Sequence, residues 1–157
     1  MGFKLHNIEP TTEQMNFRPF QTFLRLREKL NGFIYSKLSL NDRIELARNS
    51  NTPPETLALL AGDTIDAIRL EVTGHPNILP ETLAFLARDN YCGVRWNVAR
   101  DFRTPPESLS VLAQDESSNV RYEVAGNPNT SLETLTLLAQ DENKWVRRRV
   151  KINPNYK

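Results

Sequence analysis

Leu57, Leu83, Leu109 and Leu135 stand 26 residues apart, and most of their neighbours keep the same step. Glu55, Glu81, Glu107 and Glu133 coincide, as do Leu60, Leu86, Leu112 and Leu138, then Ala61, Ala87, Ala113 and Ala139. The columns continue through Asp63, Asp89, Asp115 and Asp141, then Ile68, Val94, Val120 and Val146, then Arg69, Arg95, Arg121 and Arg147, then Val72, Val98, Val124 and Val150. Units of this length cannot bury an apolar face alone, so they stack and share one continuous core.

Each unit reads as two short helices joined by turns. Thr52-Pro53-Pro54-Glu55 and Thr104-Pro105-Pro106-Glu107 have the form of capping boxes, with Pro where no amide is needed, and Thr130-Ser131-Leu132-Glu133 keeps the box without Pro. Ile78 replaces the Thr in the second unit, which is expected to weaken that cap by about 1 kcal/mol. The column Asp is expected to cap or pair with the second helix, whose Ile68/Val72 stripe and its equivalents make one apolar side. That helix should end at Gly74-His75-Pro76-Asn77, at Gly126-Asn127-Pro128-Asn129 and at Asn153-Pro154-Asn155, where Gly and Asn tolerate left-handed backbone and Pro blocks continuation. Leu59, Phe85, Val111 and Leu137 lie roughly opposite Leu57 and its equivalents, so the first helix should be sandwiched between neighbours. The second should keep a solvent face.

The repeat fades toward the N-terminus. Arg43, Glu45 and Leu46 still match Arg69, Glu71 and Val72, so a second-type helix begins near Asn41 with Ser39 and Asp42 available for capping. The expected organisation is residues 1–40 as a tail and amphipathic capping helix, spanning roughly Phe17 to Leu30, followed by a solenoid over 41–157. The solenoid comprises a partial unit at 41–54 and units starting at Glu55, Glu81, Glu107 and Glu133.

With a quarter of its 157 residues charged and 39% hydrophobic, the chain reads as one soluble domain. Met1–Pro10 has no apolar run behind a basic segment, and no apolar span is long enough to cross a bilayer, so no membrane is expected and the location is read as cytoplasmic. A single cysteine, Cys92, excludes an internal disulfide and a cysteine-rich metal site and fits a reducing compartment. The net charge of +1 hides an asymmetry: after Glu142 every charged side chain is basic, namely Lys144, Arg147, Arg148, Arg149, Lys151 and Lys157.

The pattern Asn-Pro-Asn-Thr-x-x-Glu-Thr-Leu-x-x-Leu-Ala-x-Asp-x-x-x-x-Val-Arg-x-x-Val, best seen at Asn127 to Val150, resembles the leucine-rich repeat variant family and is more loosely similar to HEAT repeats. The resemblance covers about Asn41 to Lys157. It implies an all-α fold, a right-handed superhelical α-solenoid of paired short helices in which the second helix of each pair is shorter and open to 3₁₀ geometry. A founding member carries an iron–sulfur cluster on an N-terminal cysteine motif; with Cys92 alone, that function does not carry over.

Little in the chain could build a catalytic constellation. His75 sits in a turn column otherwise held by Asn49, Asp101, Asn127 and Asn153, so it reads as a turn residue, and no phosphate loop or metal-ligand spacing is present. No enzyme activity, cofactor or metal is expected. The column Arg43, Arg69, Arg95, Arg121 and Arg147, each full-unit Arg following an Asp by six residues, reads first as an internal ion-pair ladder. Leu70, Trp96, Tyr122 and Arg148 lie about 200° around the second helix from the core stripe and should face outward, among variable positions that include Arg100 and Trp145. Exposed aromatics beside Arg make contact surfaces. The leading reading is therefore a non-enzymatic scaffold binding a protein or peptide through Leu70, Trp96, Arg100, Tyr122, Trp145 and Arg148. The alternative is nucleic-acid binding through Arg69, Arg95, Arg121, Arg147, Arg149 and Lys151, and a third is self-association through the C-terminal end.

Overall fold

Apolar residues at every third and fourth position, punctuated by Pro and Asn, fold in this chain as nine α-helices among the described residues. The structure, a computed structural model, describes residues 37–156. The chain divides between Lys37 and Leu38, and the unit from Leu38 onward is the repeat array. The amphipathic helix expected over residues 17–30 lies outside the described residues.

The array begins with α1 (Leu40–Arg48), a second-type helix, and continues through α2 (Pro54–Leu60), α3 (Asp66–Thr73), α4 (Pro80–Leu86), α5 (Cys92–Arg100), α6 (Pro106–Leu112), α7 (Ser118–Gly126), α8 (Leu132–Leu138) and α9 (Lys144–Val150). It is an all-α repeat solenoid. The second helices α1, α3, α5, α7 and α9 pack in one close row, and each first helix packs on the second helices before and after it. Both kinds are α-helical, and at seven residues the first helices are no longer than any of the second, which run from seven to nine. The 3₁₀ geometry and the length order implied by the family resemblance do not apply.

The column residues form the core between the two rows. Leu57, Leu83, Leu109 and Leu135 are each 0% exposed, and Ile68, Val94, Val120, Val146 and the Val72 column match them. Burying each such side chain contributes about 1.5–3 kcal/mol. First helices are not sandwiched as expected: neighbours in that row lie farther apart than second helices do. Val111 and Leu137 are accordingly exposed, although Leu59 is buried.

Side chains at the turns tie each unit to the one before it. The column Thr does not cap the first helix. Thr104 and Thr130 donate their hydroxyls to Val98 O and Val124 O, six residues back in the preceding second helix, and Thr52 does the same to Leu46 O. The first helices start instead on Pro at the first helical turn, or on Ser131, whose Oγ accepts from Thr134 N. Ile78 therefore loses a tie to the helix before it, not a cap, and is itself buried. At α1 the sequence-expected box is present: Asp42 N–H donates to Ser39 Oγ and Ser39 N–H to Asp42 Oδ2.

No described residue adopts positive φ, so the left-handed turns expected after the second helices are not used. The turn asparagines have another task. Asn127 Nδ2 donates to Ala99 O and Asp101 O, and Asn153 Nδ2 to Ala125 O and Asn127 O, reaching carbonyls one full unit back. Asn77, Asn129 and Asn155 do likewise two positions on, and Arg103 in that column donates to His75 O and Pro76 O. Carbonyls of helix ends and turns, the buried ones of Ala99 and Ala125 among them, are thereby satisfied along one edge of the stack.

Candidate functional site

The arginine column is a ladder between units. Arg69 Nε and Nη2 donate to both carboxylate oxygens of Asp89 at 2.6 and 2.8 Å, and Arg95 and Arg121 repeat this with Asp115 and Asp141. Arg43 pairs with Asp63 at 2.6 Å as the first rung. Each carboxylate thus comes from the following unit, 20 residues on. The Asp six residues earlier contributes only its backbone carbonyl, as in Arg95 Nη1 to Asp89 O at 2.9 Å. The same Asp also accepts the N–H two residues on, just ahead of the second helix, as Asp115 Oδ1 does from Ser117. Hydrogen bonds to these carboxylates raise the pKa of Arg69, Arg95 and Arg121 against the opposing effect of burial.

This geometry decides which cations are available to a partner. Arg69, Arg95 and Arg121 are buried with their forks committed to carboxylates, so a phosphate would have to displace an Asp. Arg147 donates to Asp141 O and Glu142 O and has no carboxylate among the described residues, while Lys151 is exposed. Arg149 is partly buried.

On the other side of the second helices, the outward column is half-buried at Leu70, Trp96 and Tyr122 and exposed at Arg148. Arg100, one turn beyond Trp96 on α5, lies 5.4 Å from the centroid of its indole. Arg149 reaches from α9 to the Tyr122 ring on α7 at 5.3 Å, and Lys144 covers Trp145 at 5.0 Å. Trp145 is 54% exposed. Three consecutive second helices thus present an aromatic ring with a cation over it, each pair contributing about 0.5–1 kcal/mol in exposed settings.

Two glycines make room for this face. A Cβ on Gly126 would fall 2.3 Å from Arg149 Nε, and one on Gly93 would fall 2.7 Å from the Tyr91 ring. Gly126 therefore leaves room for Arg149 to pass over it to Tyr122, and Gly93 lets Tyr91, 44% exposed, fold onto α5. The sequence points to Arg149 only for the alternative nucleic-acid contact and does not single out Tyr91. The signal was a Gly in columns that elsewhere hold Arg48 and Arg100, or Asn119 and Trp145.

His75 is a turn residue. Asn77 N–H donates to Nδ1, which leaves the proton on Nε2 to donate to Asn49 O at 2.9 Å. A shallow cleft of about 510 Å³ opens between α6 and α8, with Glu107, Ser110, Gln114, Glu133 and Leu137 on its walls. Among the described residues no cluster of His, Cys, Asp and Glu could hold a metal ion, and no helix is long and apolar enough to cross a membrane. A scan against protein-family models and a search of curated proteins return no match to this chain.

Proposed function

We propose that the solenoid is a non-enzymatic scaffold that binds a protein or peptide along the outward face of α5, α7 and α9. The supporting observation is the row of ring–cation pairs, Trp96 with Arg100, Tyr122 with Arg149 and Trp145 with Lys144, on consecutive second helices. Aromatic residues and Arg supply most of the energy in protein interfaces. The frame beneath them is fixed by buried ladders, so the face is held in shape before a partner arrives, which lowers the entropy lost on binding. A cytoplasmic setting and membership of the leucine-rich repeat variant family belong to the same proposal, on the half-buried free Cys92 and on the repeat columns.

The test is partner capture by the Trp96→Ala/Tyr122→Ala variant. Capture should vanish, while the variant loses less stability than the roughly 3–5 kcal/mol of a fully buried Trp, because both rings are half-exposed. Undiminished capture by a folded variant refutes the reading. A second reading, nucleic-acid binding, draws on the uninterrupted cations of α9. Titration of labelled single- and double-stranded oligonucleotides at low salt decides it, since even non-specific phosphate contact registers there.

A further inference from the structure

The chemistry of that partner follows from how the protein distributes its carboxylates. Cations that hold units together receive one: Asp63, Asp89, Asp115 and Asp141 each meet an Arg of the preceding unit. Three cations of the outward face do not, although Arg48, in the column of Arg100, meets Glu71. Arg100, Arg148 and Arg149 make no ion pair among the described residues, and between Asn143 and Tyr156 there are five cations and no acid. At the other end of the same face stand Asp66 and Glu71, the latter paired with Arg48. With Glu71 neutralised by Arg48 and Glu123 standing on α7, the face is mixed in charge until α9, which is uniformly basic.

Arg149 is the best-placed of these cations. Its guanidinium lies on Tyr122, Gly126 clears the space behind it, and its Nε is buried without a hydrogen-bond partner. A guanidinium already packed against a ring and a helix has less rotamer freedom left to lose on binding, and carboxylates match it bidentately. A nucleic-acid strand would ask for open ring faces on which to stack bases. Trp96, Tyr122 and Trp145 each already carry a cation.

We infer that the partner is an acidic peptide segment, whose carboxylates dock on Arg149, Arg148 and Arg100 while its apolar side chains lie against the edges that Trp96, Tyr122 and Trp145 leave uncovered. This rests on the proposed peptide-binding face and adds the sign of the charge that it takes.

The experiment is selection of phage-displayed random dodecapeptides on the full chain at low salt, followed by anisotropy titration of the enriched peptides. Clusters of Asp and Glu beside aromatic or aliphatic residues are expected. The best such peptide should bind about tenfold more weakly to Arg148→Gln/Arg149→Gln, and also to Gly126→Ala, which keeps every charge but pushes Arg149 off Tyr122. Urea midpoints of these variants should match the parent, which separates lost docking from lost fold. Peptides that need Trp96 and Tyr122 but show no acidic bias would overturn this inference alone. Absence of any peptide whose binding depends on those two rings would overturn the underlying reading as well. Tighter binding of an oligothymidylate through the same cations would replace the acidic peptide with nucleic acid.

Discussion

Asp115→Ala removes the carboxylate that locks the unit starting at Glu107 to the unit before it. Arg95, whose side chain is 11% exposed, would keep its charge and lose its buried partner, retaining Glu116, itself 86% exposed, at 3.1 Å. Breaking one side of a buried pair costs about 3–5 kcal/mol. The remaining Glu116 places the loss near the lower end, and the orphaned Ser117 N–H adds about 1 kcal/mol. The expected total is about 3–4 kcal/mol, a large share of the roughly 5–15 kcal/mol that stabilises a domain. Arg95→Met/Asp115→Leu removes the charge with its partner and should lose only about 2 kcal/mol or less, the remainder coming from Ser117 N–H and the carbonyls of Asp89 and Asn90. Arg147→Met, at a rung with no carboxylate among the described residues, should cost only about 1 kcal/mol. Urea unfolding followed by helical circular dichroism measures all three. A second transition in Asp115→Ala would report the two sides of the weakened junction unfolding apart, as nearest-neighbour stacking allows. A loss below about 1 kcal/mol for Asp115→Ala, or a double variant as damaged as the single, would refute the ladder as the lock between units.

Burial pushes the Asp141 carboxyl up, but the Arg121 hydrogen bond, the Asn143 N–H and the charges of Arg121 and Arg147 together hold it below its ordinary 3.8. Its contribution is thus complete above that value and lost as pH falls through the folded-state pKa, so urea midpoints should drop below about pH 4, and less steeply in Asp141→Asn. His75→Asn restores the column residue with a donor for Asn49 O and an acceptor for Asn77 N–H and should leave the melting temperature within a few degrees, whereas His75→Ala should cost about 1–3 kcal/mol. Leu109→Ala should cost about 2–5 kcal/mol and Leu137→Ala, at 55% exposure, about 0.5 kcal/mol; equal losses in chemical denaturation would contradict the open outer row.

The repeat columns make the core legible in the sequence itself, because Leu57, Leu60, Ile68 and Val72 recur with the period of a helix inside the period of the unit. The partners across units were not readable, for a reason inherent in repetition. When Arg and Asp recur with one period, a separation of six backward and of 20 forward are present together, and only the packing selects which carboxylate Arg95 meets. The Thr column is ambiguous in the same way: it stands in sequence between two helices, and in the fold its hydroxyl meets the carbonyl of Val98 or Val124 and not a first-turn amide. On the candidate face, Trp96 and Tyr122 were placed by their angle from the core stripe. The Arg149–Tyr122 contact escaped because it depends on Gly126, a residue whose message is the space it leaves.

Central to this account is a division of labour among arginines, with those of the ladder holding the fold and those of the outward face holding a partner. Measuring the urea midpoint and the affinity for one selected peptide, side by side, in Arg121→Gln and in Arg148→Gln tests it most directly. The account predicts that Arg121→Gln lowers the midpoint while its folded fraction binds as the parent does, and that Arg148→Gln keeps the midpoint and loses affinity. The reverse pattern, or two variants that lose both together, would contradict it.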